Sequence, residues 1–142
     1  MPKAIEVENL RFRYHLKEAL HQISFCIESG EVVGLLGQNG AGKSTTLKIL
    51  TGILAPGEGC VRIGGFSLPE QTVEAKRIIG YVPESANLYE SLTAQEYLEL
   101  IGRLREIEEK ALKRKIVTLL ETLDIAKQRF SRLATFSKGM RQ

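Results

Sequence analysis

Three observations make an α/β fold the prediction for this sequence. Two short runs, Val32-Val33-Gly34-Leu35-Leu36 and Ile78-Ile79-Gly80-Tyr81-Val82, are almost wholly apolar, as expected of strands buried on both faces of a helix-covered parallel sheet. Other segments alternate apolar and polar residues with period two. Beyond Ser91 the apolar residues change to helical spacing.

The elements follow in order. Ile5 and Val7 alternate with Glu6 and Glu8, Ile23, Phe25 and Ile27 alternate with Ser24, Cys26 and Glu28, and Val61 and Ile63 flank Arg62. These read as half-buried strands of an antiparallel sheet. Thr45-Thr46-Leu47-Lys48-Ile49-Leu50 reads as a helix. Thr93 and Glu96 form a capping box, so a helix starts near Thr93 and carries the stripe Ala94, Tyr97, Leu98, Ile101 and Leu104. Gly102 weakens that helix and blurs its end. Leu112, Ile116, Leu119, Leu120 and Leu123 make a second stripe. The chain thus divides into a mixed α/β part, residues 1–90, and a helical part, residues 91–142.

With 142 residues, 43% apolar and 26% charged, the chain is long enough and apolar enough for a packed core. A net charge of +3 gives no argument for nucleic acid. The densest basic run, Lys113-Arg114-Lys115, follows Glu108-Glu109 and reads as a solvated helix face. Cys26 and Cys60 lack paired spacing and suit free thiols of a reducing compartment. His15 and His21 lack zinc-motif spacing. No signal peptide is expected, and no apolar stretch approaches the ~20 residues of a membrane span.

The chemistry concentrates in Gly37-Gln38-Asn39-Gly40-Ala41-Gly42-Lys43-Ser44, which fits G-x-x-x-x-G-K-[ST] between an expected strand and an expected helix. Glycines let consecutive amides turn toward phosphate oxygens, and the helix start adds partial positive charge. Lys43 neutralises outer phosphates, and the Ser44 hydroxyl can ligate Mg²⁺, most of whose remaining ligands are water and phosphate oxygen. A glycine-rich turn with a chance lysine would need neither flanking element. The motif alone leaves kinases, GTPases, recombinases and transport ATPases open.

The surrounding residues narrow this. Leu10 to Gly65, the IGYVPES run at Ile79 to Ser85, and FSKGMRQ at Phe136 to Gln142 resemble the ATPase domain of ATP-binding-cassette (ABC) proteins, in the family's motif order. The resemblance covers nearly the whole chain. It implies a P-loop NTPase core with an antiparallel β subdomain and a partial helical subdomain. It also implies ATP and Mg²⁺ on Gly37 to Ser44 and Thr45, and an adenine stacked on Tyr14. Glu84 falls where many members carry a glutamine linked to Mg²⁺, to the attacking water and to the membrane subunit. A carboxylate there keeps an acceptor and loses the amide donor. Ser137, Lys138, Gly139 and Met140 fall in the family's signature, commonly Leu-Ser-Gly-Gly-Gln, which serves ATP held by the opposite protomer. Lys138 and Met140 depart from that form and resemble exporter-type cassettes with separate membrane subunits. Ser137 would equally serve as a plain helix N-cap.

The same resemblance implies a second ABC ATPase domain as partner, identical or not, and a transmembrane permease subunit. It places the protein in the cytoplasm, peripheral on that face of the membrane. A GTPase would carry N-K-x-D, which is absent from these residues. Arg103 and Arg105, candidates for a kinase lid, fit the helical subdomain better. The family's Walker B strand, with its aspartate and glutamate, and its switch histidine follow the signature; residues 1–142 contain no match for them. The expectation is therefore the N-terminal portion of a longer cassette, able to bind ATP and poor at hydrolysis alone. The alternatives are a non-catalytic nucleotide-binding or regulatory fragment, and a soluble ABC protein outside transport.

Overall fold

A computed structural model describes residues 2–83 and 88–141. The chain forms two compact units, Met1–Tyr81 and Val82–Gln142.

The first unit is built on a four-stranded antiparallel sheet, with β1 (Lys3–Tyr14), β2 (Lys17–Glu28), β3 (Glu58–Ile63) and β4 (Phe66–Leu68) in the order β2-β1-β3-β4. The register pairs Val7 with Phe25 and then Leu10 with Ile23, so β1 carries one extra residue; β2 carries the compensating one before Phe12 pairs with Leu20. The bulges turn on Asn9 and Gln22, with φ of 51° and 55°. Asn tolerates this left-handed backbone better than most residues. The Asn9 backbone N–H donates to Ser24 Oγ at 2.8 Å. The bulge puts Val7 and Leu10, three residues apart, on the same buried face. Against that face pack Ile49 and Leu50 of α1 (Lys43–Leu50) and Ala75 of α2 (Thr72–Ile78).

The two apolar runs expected as parallel strands are not strands. Residues 31–38 and 79–83 have no regular structure, and Val32, Val33, Leu35, Leu36, Tyr81 and Val82 are exposed. Ile78 instead ends α2. The physical reason is lateral: a strand needs hydrogen-bonded neighbours, and among the described residues none lies beside either run.

In the second unit, α3 (Ala94–Leu104) opens on the expected capping box: Glu96 N donates to Thr93 Oγ1 and Thr93 N to the Glu96 carboxylate. The Thr93 amide, and after it the Thr93 hydroxyl, which donates to Glu96 Oε2 at 2.9 Å, hold the Glu96 carboxyl below its ordinary range. α4 (Glu109–Thr122) is capped by Glu108, whose two oxygens accept from Lys110 N and Ala111 N, both at 2.8 Å. Leu112, Ile116 and Leu120 of the predicted stripe are buried, while Leu119 and Leu123 are exposed. Gly102 has a packing role rather than a mere cost. A Cβ there would lie 2.1 Å from Leu112 Cδ1, so the missing side chain lets α4 approach α3. Among the described residues no helix is long and apolar enough to cross a membrane.

Candidate functional site

The loop from Gly37 to Gly42 enters α1 through a left-handed residue, Gly42, with φ of 88°. Its missing Cβ would lie 2.5 Å from Leu20 Cδ2 and 2.7 Å from the Ala19 carbonyl oxygen. The position thus requires glycine twice, for its backbone angle and for its contact with β2. The first helical hydrogen bond runs from Thr46 N to Gly42 O at 2.8 Å. The amides of Lys43, Ser44 and Thr45 precede it and have no acceptor within the helix. Thr46 Oγ1 also donates to Gly42 O at 3.0 Å, which ties the turn to the helix. Thr45 and Thr46 are buried; Gly37, Gln38, Asn39, Gly40, Ala41 and Ser44 are exposed.

Lys43 folds over its own loop. Its Nζ donates to Gly37 O at 2.6 Å and Gln38 O at 2.7 Å. The ammonium therefore rests on the carbonyls that open the loop, and the loop leads into three helix-start amides and the Ser44 hydroxyl. A cation, aligned donors and a hydroxyl are a fitting donor set for a polyphosphate with Mg²⁺. Among the described residues no group of three or more His, Cys, Asp or Glu could hold a metal unaided.

Tyr14 lies at the end of β1 and is 41% exposed. Its ring meets Phe12 edge-on, with centroids 4.9 Å apart. Phe12 pairs with Leu20, the residue that Gly42 packs against. A chain of contacts thus joins the tyrosine to the loop within one unit. The supporting residues Ala19 and Leu20 carry no sequence signal, because nothing local marks which strand residues a distant glycine will touch. Glu84 lies outside the described residues.

The signature residues belong to the second unit. Phe136 is buried in its core, Met140 packs against that core, and Ser137, Lys138 and Gly139 are exposed. Ser137 caps the short α5 (Lys138–Arg141): Met140 N donates to Ser137 Oγ at 3.3 Å and Arg141 N to Ser137 O at 3.1 Å. Arg141 Nε donates to Phe136 O at 2.9 Å, and its Nη1 meets Glu90 Oε1 at 2.8 Å. Sequence reasoning missed this pair, whose members are 51 residues apart.

Comparison with known proteins agrees with the motif order. The chain is 35% identical over 138 residues to the linearmycin resistance ATP-binding protein LnrL of Bacillus subtilis, covering 97% of the chain and 44% of the relative. It is 38% identical over 126 residues to the ABC transporter ATP-binding protein NatA of the same organism, covering 88% and 51%. The chain thus spans about half the length of these curated relatives. A solved structure described as the ATP binding subunit of an ABC transporter superposes with a TM-score of 0.80 at 36% identity, covering 97% of this chain and 57% of the other. The cbiO1 structure from Clostridium perfringens shares the fold, with a TM-score of 0.85 at 23% identity, covering 99% and 58%. The ABC transporter family model matches residues 20–142. With most of its length inside that match, the chain belongs to the ABC transporter family.

Proposed function

We propose that this chain binds ATP with Mg²⁺ as the nucleotide-binding part of an ABC transporter ATPase subunit. One observation carries the reading: Gly42, wedged on β2 in a left-handed conformation, turns the loop into α1, whose first three amides lack helical acceptors, and Lys43 Nζ rests on the loop's own carbonyls. Gly37 to Thr45 hold the phosphates, the Ser44 hydroxyl takes a Mg²⁺ position, and Tyr14 offers a partly exposed ring to adenine. Glu84 takes the metal- and permease-linked role. Ser137, Lys138, Gly139 and Met140 serve the nucleotide of a second ABC ATPase domain, identical or not. A transmembrane permease subunit is the other partner, which places the protein on the cytoplasmic face of the membrane. The Lys138 and Met140 variant of the signature supports an exporter-type cassette. Binding is the activity proposed for these 142 residues.

The test is titration of Mg²⁺–ATP into the chain by calorimetry, with Lys43→Ala beside it. Saturable binding that weakens at least about tenfold in the variant is expected, since a charge-assisted contact is lost. Equal affinity in both chains would refute the reading.

A further inference from the structure

We propose that Arg141, held by Glu90, is a positioning residue for the signature: it fixes the peptide from which Ser137 is presented. The inference rests on the reading of residues 137–140 as half of a composite nucleotide site.

The guanidinium has two acceptors at once. Nε binds the carbonyl of Phe136 at 2.9 Å and Nη1 the Glu90 carboxylate at 2.8 Å. The Phe136 carbonyl shares its peptide plane with the Ser137 N–H, so fixing the oxygen fixes the direction of that amide. The Phe136 side chain is 3% exposed and anchors the other side of the same residue. Arg141 lines an apolar cleft with Leu133, Phe136 and Met140.

Glu90 is itself held. Its carbonyl accepts from Ala134 N at 3.1 Å, and the next contacts along are Leu133 N to Leu92 O at 2.9 Å and Ala94 N to Ser131 O at 3.2 Å. The Glu90 segment and the approach to the signature are thus stitched by backbone, and Arg141 closes the stitch beyond Ser137. An exposed ion pair alone contributes little; the fork that reaches a carbonyl and a carboxylate together is what matters here. Lysine, a single point charge, cannot reproduce it.

The test uses two tagged copies of the chain. One carries Lys43→Ala and offers only its signature; the other carries Ser137→Ala and offers only its loop. Association is read by pull-down with Mg²⁺–ATP. Arg141→Lys in the signature copy should lower retention about tenfold, as for loss of a charge-assisted hydrogen bond, and Glu90→Gln should lower it in the same direction. Neither change should matter in the loop copy. Unchanged retention, or an equal loss from either copy, overturns the proposal. If the parent copies do not associate with ATP, the composite-site reading fails, and positioning is decided by amide ¹⁵N relaxation. The order parameters of Ser137 to Met140 should then fall from about 0.85 toward 0.6 in Arg141→Lys, with those of α3 unchanged. Order parameters that stay high, or that fall throughout the unit, overturn it.

Discussion

Replacing Gly42 by alanine separates two costs that the nearby Gly40 does not combine. Both glycines are left-handed, with φ of 88° and 86°. An alanine at either position meets the left-handed penalty, about 1–2 kcal/mol. At Gly40 nothing lies within 4 Å of the added Cβ. At Gly42 the Cβ would meet Leu20 Cδ2 at 2.5 Å and a backbone oxygen, that of Ala19, at 2.7 Å. Carbon contacts are comfortable at about 3.5–4.0 Å, so roughly 1 Å of movement is required. Leu20 is buried, and forcing atoms into packed surroundings costs about 1–3 kcal/mol. Gly42→Ala should therefore destabilise the first unit by about 2–5 kcal/mol and Gly40→Ala by about 1–2 kcal/mol. The assay is urea unfolding read from the amide resonances of β2. Equal midpoints for the two variants would refute the argument that β2 braces the loop.

Tyr14→Ala should weaken ATP binding by about 1–3 kcal/mol through loss of base stacking, with Tyr14→Phe near the parent; unchanged affinity of the alanine variant in the same titration would remove Tyr14 from the site. Gly102→Ala should cost about 1–3 kcal/mol of overpacking, partly offset by about 1 kcal/mol of helix propensity. Combined with Leu112→Ala, the loss should be smaller than the sum of the singles; strict additivity in thermal melts would contradict the close approach of α3 and α4. Glu96 has its folded value depressed below the ordinary 4.5. Its contribution is therefore present above that pH and lost as pH falls through the depressed value. Circular dichroism should show helix loss on acidification that is blunted in Glu96→Gln.

Local patterns were legible in the sequence where the structure is local. The Thr93–Glu96 cap and the strands around Val7, Phe25 and Val61 are where period and capping chemistry place them. The phosphate loop leads into its helix as the motif demands. What depends on distant residues was not legible. The bulge at Asn9 breaks the two-residue period that would have extended β1 to Tyr14. α2 buries one residue, Ala75, too few for a helical stripe. The apolar composition of Val32 to Leu36 is a strand signal, but a strand is a relation between segments, and the described residues provide no partner. The Arg141–Glu90 pair joins positions that no local pattern connects.

The lysine folded over its own loop has a consequence for selectivity. Two carbonyls at 2.6 and 2.7 Å already satisfy much of the Lys43 ammonium, so an incoming anion must compete with oxygens that share the same chain and carry no association entropy. A chain of phosphates can engage the amides first and take the ammonium second. This self-contact of Lys43 is thus a threshold that favours ligands able to bind in sequence along the loop.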